Sequence, residues 1–224
     1  MSSMIENTLL LFDINGTLIT RDERTDIPYS NAMNTVLGTT NAMSGVDTSA
    51  RSDKDVFIEV LQRHGKKFDD LLWDTFLTRY RTQLEHFYDT DVWRANADAV
   101  PFVRALHQKG YTLALISGEL AIGAEFKLKK IGIWDCFIAG GFGEDGLRRF
   151  DIADTSLRKV KKASEKDFSS LYVLGDTILD IQTARHLNAK SIAITTGSHS
   201  REKLMAEKPD YCIDKFEEIH SLFL

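Results

Sequence analysis

Short apolar runs recur along the chain, and each ends in small or acidic residues. They are Thr8–Phe12, Thr112–Ile116, Cys136–Ala139, Leu171–Leu174, Ser191–Ile194 and Tyr211–Ile213. Their length and their branched or aromatic content predict buried strands. Between the later runs the apolar residues recur with helical spacing. One such pattern opens at Pro101, a good first-turn residue, and stops at Gly110. Others cover about 120–130, 154–163, 177–187 and 201–207. Alternating strands and helices predict a mostly parallel sheet covered on both faces.

The stretch from about Thr20 to Arg94 breaks this rhythm and carries no strand pattern. Val56, Phe57, Val60 and Leu61 form one helical stripe, with Asp53 placed as its cap. Leu72, Phe76, Tyr80, Leu84 and Phe87 form a second. The polar segment Thr39–Arg51 reads as a loop between them. An insertion of about 75 residues directly after the first strand is too long for a loop. It predicts a separate helical domain, 20–94, set into a discontinuous core of 1–19 and 95–224.

Composition narrows the function classes. Of 224 residues, 43% are apolar and 27% charged, which excludes a disordered chain. The net charge of −5, with no basic block, weighs against nucleic acid as a partner. No apolar run approaches the ~20 residues that span a bilayer, so no membrane association is expected. The opening MSSMIENTLLLF has neither a basic start nor a cleavage signal before its apolar stretch. The only cysteines, Cys136 and Cys212, exclude a disulfide scaffold and a cysteine-rich zinc site. These features together predict a cytoplasmic protein, as a monomer or homodimer.

Parallel sheets bind ligands at the carboxyl ends of their strands. The first strand is followed by Asp13-Ile14-Asn15-Gly16-Thr17, the second by Ser117 and Gly118, and the fourth by Gly175-Asp176-Thr177 and then Asp180. Taken singly, Asn15-Gly16 is a common turn, Ser117 a helix cap, and Asp176 and Asp180 capping acids. Their joint placement at three strand ends points to chemistry instead. A carboxylate can attack phosphorus to form an aspartyl phosphate. Against an anionic substrate it needs a cation, and hard oxygen ligands on Asp13 and Asp176 suit Mg²⁺. Ser117 and the backbone N–H of Gly118, at a helix start, can hold phosphate oxygens.

The ordered set of motifs resembles the haloacid dehalogenase-like hydrolase superfamily, in the branch with a helical cap inserted after the first motif. Asp13-Ile-Asn-Gly-Thr-Leu18, Leu115-Ile-Ser117-Gly118 and Leu174-Gly-Asp176-Thr-Ile-Leu-Asp180 carry the resemblance. Ala50-Arg51-Ser52-Asp53 resembles a cap segment of phosphoglycolate-phosphatase-like members. The resemblance implies an α/β fold, a Rossmann-like parallel sheet core with an inserted all-helical cap domain. It implies an Mg²⁺-dependent phosphatase of a small phosphorylated metabolite, with Asp13 as nucleophile. Mg²⁺ would be held by Asp13, the backbone carbonyl of Asn15 and Asp176, with Asp180 ligating or supporting. Gly16, Thr17, Ser117, Gly118 and the cap's Arg51 would bind substrate. A basic residue after the third strand should neutralise Asp13 and the phosphate. Arg149 aligns best with it, and Arg148, Lys159, Lys161 and Lys162 are the other candidates.

Two residues depart from the pattern. The family's phosphatases place a second aspartate where Asn15 stands, which protonates the leaving oxygen and then activates water. An amide cannot exchange a proton at neutral pH. Three explanations compete: a slow or specialised enzyme whose substrate has a good leaving group, an engineered change, or a binding relative without turnover. Deamidation at Asn15-Gly16 would restore a carboxylate. Glu119 is the second departure, because many relatives have asparagine there. Its charge would repel a substrate's anionic tail unless paired. Dehalogenation and phosphonate hydrolysis are the other reactions of the same scaffold, the second needing a cap lysine such as Lys54, Lys66 or Lys67. A dinucleotide fingerprint, Gly141-Phe-Gly143-Glu-Asp-Gly146, is discounted because a helix start is better signalled near Asp151 or Asp154 than at its third glycine.

Overall fold

The protein is described here from a computed structural model, which covers residues 5–48 and 51–224. Ala50, which opens the cap segment named above, and the first four residues lie outside the described residues.

Six strands form one parallel sheet: β1 (Thr8–Phe12), β2 (Thr112–Ile116), β3 (Ala139–Gly141), β4 (Ser170–Gly175), β5 (Lys190–Ile194) and β6 (Tyr211–Ile213). Their spatial order is β3-β2-β1-β4-β5-β6, and every neighbouring pair is parallel. This doubly wound order reverses direction between β1 and β4, so β1 ends at the switch point where such sheets bind ligands. Strand alternation divides the apolar residues between two faces. Leu10 and Phe12 join one buried cluster, while Leu9 and Leu11 join the other.

The chain between β1 and β2 is helical. It carries α1 (Ile27–Leu37), α2 (Asp53–Arg63), α3 (Asp70–Phe87) and α4 (Ala99–Gln108). The last of these packs on the sheet, with Phe102, Val103 and Leu106 in the core beneath β1 and β2. The first three enclose a cluster of their own, centred on Phe57, Phe76, Val60, Leu61 and Met33. That separate core is why a chain segment without strands can stand on the sheet as an all-helical cap. The remaining helices, α5 (Ala121–Lys130), α6 (Arg149–Ser164), α7 (Ile178–His186), α8 (Arg201–Ala206) and α9 (His220–Phe223), alternate with the later strands. No helix among the described residues is long and apolar enough to cross a membrane.

Several elements differ from the sequence expectation. The run expected as a strand at Cys136–Ala139 begins as a 3₁₀ turn over Trp134–Cys136, and the strand is Ala139–Gly141. Phe137 is apolar because its ring meets Phe12, with centroids 5.8 Å apart, and not because it is a strand residue. The helix expected from Asp154 begins at Arg149. α1 escaped the periodicity, although Pro28 in its first turn and Gly38 in left-handed backbone beyond its last bracket it. Finally, Ser52, not Asp53, caps α2, accepting the Asp55 N–H.

Phe57 is fully buried, with Trp73 and Phe76 rings each 4.9 Å away between centroids. Phe57→Ala should therefore cost about 3–5 kcal/mol, read by urea unfolding followed by circular dichroism. A loss below about 1 kcal/mol would contradict a close-packed cap core.

Candidate active site

The loop after β1 is pinned from three sides. Asp13 N–H donates to Leu174 O of β4 (2.9 Å). Asn96, buried, donates from Nδ2 to the carbonyls of Gly16 (3.2 Å) and Thr17 (2.6 Å). Gly16 turns with φ +89°, and a Cβ there would lie 2.6 Å from Asp176 Oδ2. Only glycine lets the two loops approach so closely.

A cavity of about 570 Å³ opens at these strand ends, lined by Asp13, Asn15, Ser117, Glu119, Arg149 and Asp176 among others. Arg149, at the start of α6, reaches into it. Its Nη2 lies 2.7 Å from Asp13 Oδ1 and 2.5 Å from Asp180 Oδ1. Arg148 instead pairs with Asp151 on the surface, and Lys159 and Lys161 pair with Asp145 and Asp167. Burial opposes the charge of Arg149, but Asp180 and Asp13 outweigh it and hold the guanidinium charged. Burial raises the Asp13 carboxyl well above the usual range. Arg149 pulls it back, while Asp180 and Asp176 push it further up. Asp176 is raised by burial and by Asp180, in spite of its bond from the Ser198 N–H at 2.5 Å.

Asp180 completes a capping box at α7: its Oδ2 accepts from the Thr177 N–H and hydroxyl, and Thr177 caps the Asp180 N–H. Ser117 is buried, its N–H donating to Gly141 O (3.0 Å) and its Oγ accepting from Glu119 N–H (3.2 Å). Gly118 lies where the cap meets the core, and a Cβ there would stand 2.2 Å from Arg51 O. Its carbonyl accepts the Asp53 N–H (2.8 Å), and Asp53 Oδ2 accepts the Leu120 N–H (2.9 Å).

Other expected residues spend polar groups on their neighbours, and the Thr17 hydroxyl donates to Asp176 Oδ1 (3.5 Å). Gly16 and Thr17 spend their N–H groups on Ile19 and Ile14 carbonyls within the loop. Arg51 lines the cavity, but its guanidinium is held by Asp55 and Glu59 of α2. Lys54 lies over the Phe68 and Trp73 rings.

Lys127 escaped the sequence reading altogether. It lies on the inward face of α5 with Gly123, Ala124 and Leu128, and its side chain is 3% exposed. Its Nζ is 2.6 Å from Glu119 Oε1 and 3.0 Å from Asn15 Oδ1, and Asn15 Nδ2 donates to Glu119 Oε2 (3.0 Å). A lysine on an otherwise small, apolar helix face was the available signal. Glu119 is thus paired, and its charge is met inside the protein.

The model of the haloacid dehalogenase-like hydrolase family matches residues 10–185. The chain belongs to that family. It is 25% identical over 153 residues to a phosphoglycolate phosphatase of Vibrio vulnificus (strain YJ016), covering 68% of this chain and 63% of that one. It spans between 60% and 63% of the length of several phosphoglycolate phosphatases that it matches. The pyrophosphatase PpaX of Bacillus cereus (strain Q1) is 23% identical over 211 residues, 94% of this chain and 93% of the relative. The crystal structure of a predicted phosphoglycolate phosphatase from Haemophilus somnus 129pt superposes with a TM-score of 0.66. It is 18% identical and covers 99% of this chain and 100% of its own. This likeness shows the hydrolase fold over the whole length.

Asp53 gives the cap–core contact a pH dependence. Burial, then Glu119, raises its carboxyl well above the usual range. The folded state therefore holds this proton more tightly than the unfolded chain, whose value is about 3.9. The stability Asp53 contributes is full below that value and is lost as pH rises through the folded-state value. Asp53→Asn, which keeps an acceptor for the Leu120 N–H, should flatten part of the fall in Tm as pH rises above the unfolded-state value of about 3.9. Parallel Tm profiles for the two proteins would contradict this.

Proposed function

We propose that this chain is a phosphatase of small phosphorylated metabolites, working in the cytoplasm through an aspartyl phosphate on Asp13. The observation that carries the reading is the position of Asp13. It ends the strand at the switch point, faces the cavity, and is held 2.7 Å from a buried guanidinium. The names of the relatives, phosphoglycolate phosphatase and pyrophosphatase, support the same chemistry. Asp13 attacks phosphorus, Arg149 offsets the charge of nucleophile and phosphoryl group, and the Ser117 hydroxyl donates to a phosphoryl oxygen. The leaving oxygen departs on the side of Asn15. Residues 20–94 act as the domain that closes over the core and excludes water.

The donor set fits Mg²⁺. Among the described residues no three His, Cys, Asp or Glu side chains form a ready ligand group. Asp13 and Asp176 are nevertheless two buried hard-oxygen donors that repel each other, and the guanidinium of Arg149 pairs with Asp13 and Asp180 but not with Asp176. Mg²⁺ keeps its waters and takes one or two carboxylates. Asp13, Asp176 and the Asn15 carbonyl would hold it, with Asp180 in support. When bound, it supplies positive charge to the phosphoryl oxygens.

Asp13→Asn should abolish phosphate release from p-nitrophenyl phosphate in the presence of Mg²⁺, and a chelator should do the same to the wild type. A variant retaining more than about a tenth of the wild-type rate would end the role of Asp13, since loss of a covalent nucleophile costs far more than tenfold.

A further inference from the structure

Asn15 stands in a closed ring with two buried charges. Lys127 donates to its Oδ1, its Nδ2 donates to Glu119, and Lys127 and Glu119 pair with each other, their side chains 3% and 5% exposed. The charges fix the orientation of the amide. Turned over, it would set Nδ2 against the ammonium and Oδ1 against the carboxylate. An aspartate at position 15 would instead face Glu119 with carboxylate oxygens about 3 Å apart, a contact that like charges oppose. The surroundings of residue 15 are therefore built for an amide.

The same ring removes Glu119 as a substitute acid. Its two oxygens face an amide NH₂ and an ammonium, neither of which accepts a hydrogen bond. A proton on Glu119 would have no acceptor among these partners. What the ring turns to a departing oxygen is the second hydrogen of Asn15 Nδ2, which can stabilise an anion but cannot be transferred. The Lys127 ammonium also lines the cavity, but it is committed to Glu119 Oε1 and Asn15 Oδ1, and giving up a proton would leave the buried Glu119 carboxylate without its counter-charge.

Resting on the phosphatase reading, we infer that the substrates are phosphoryl compounds whose leaving group departs as a stable anion, namely phosphoric or acyl-phosphoric anhydrides. Asp13 forms its bond to phosphorus as the bridging P–O bond breaks, and the electron pair leaves on a phosphate or carboxylate oxygen that needs no proton. Water then attacks the aspartyl phosphate. Its oxygen stays on phosphorus, its protons stay on the released phosphate or pass to solvent, and the Asp13 carboxylate is regenerated. An alkyl monoester would have to expel an alkoxide, and here the missing proton donor costs about 10²–10⁴ in rate.

The test measures kcat/KM of the wild-type protein with Mg²⁺ for pyrophosphate, acetyl phosphate, p-nitrophenyl phosphate, glycerol phosphate and phosphoglycolate. Pyrophosphate or acetyl phosphate should exceed both alkyl esters by at least about a hundredfold. Whichever of the two is faster identifies the kind of anhydride. In the double variant Asn15→Asp with Glu119→Gln, a carboxylate at 15 meets an amide donor at 119, and the alkyl esters should gain at least tenfold while the anhydrides do not. Asn15→Asp alone should give no such gain. Wild-type hydrolysis of the alkyl esters within tenfold of the anhydrides would overturn the inference and leave the phosphatase reading standing. Release of phosphate from none of the five, with Asp13→Asn indistinguishable from wild type, would overturn both.

Discussion

Three carboxylates crowd the carboxyl end of this sheet, and a single guanidinium lets them do so. Asp13 and Asp176 come from the loops after β1 and β4 and Asp180 from the first turn of α7, and each is taken out of water. Burying a carboxylate costs several kcal/mol unless it is paired. Arg149 offsets part of that cost for Asp13 and Asp180 together, because its nitrogen lies within 2.7 Å of both. Its own place depends on the start of α6, where the chain leaves β3 and turns back across the sheet. The backbone route from β3 to α6 therefore decides whether the strand ends can hold their acids at all. Asp176 is the residue left over, with only backbone and hydroxyl partners among the described residues.

A second constraint joins the cap to this centre. The Ser117-Gly118-Glu119-Leu120 segment leaves β2 and meets the start of α2 through two reciprocal bonds, Asp53 N–H to Gly118 O and Leu120 N–H to Asp53 Oδ2. Gly118 has no room for a side chain because the Arg51 carbonyl lies where a Cβ would stand. The same short segment thus supplies the hydroxyl of Ser117, the contact to the cap, and Glu119 of the buried ring. Any movement of the cap must act on these bonds.

The ring of Asn15, Glu119 and Lys127 changes what the asparagine means. As sequence, it is a departure from the family pattern at one position. In the fold it is one member of a neutral, mutually satisfied trio, and removing either charge would strand the other in the interior. The two departures from the pattern, at 15 and 119, are the two ends of one hydrogen bond. They are a paired feature of this chain.

Strand spacing, helix periodicity and the position of the long helical stretch were readable because each depends on local apolar pattern, and burial on both faces of a parallel sheet leaves that pattern nearly continuous. The strands at 8–12, 112–116 and 211–213, and the stripes of α2 and α3, stand where the pattern places them. The strand at Ala139–Gly141 was not readable, since an Ala-Gly-Gly segment has little strand preference and becomes one by pairing with β2. The motif acids and Arg149 could be named from their order along the chain, and which of the neighbouring basic residues turns inward was decided by the start of α6. Lys127 had only its small, apolar helix face to mark it. What it pairs with was not legible, because its partners lie 8 and 112 residues away. The amino-acid sequence by itself determined the layers, the helical insertion and the residues at the strand ends, because these follow from short-range periodicity. The tertiary structure alone decided which charges neutralise which, because that balance is struck between side chains far apart in the chain and close together out of water.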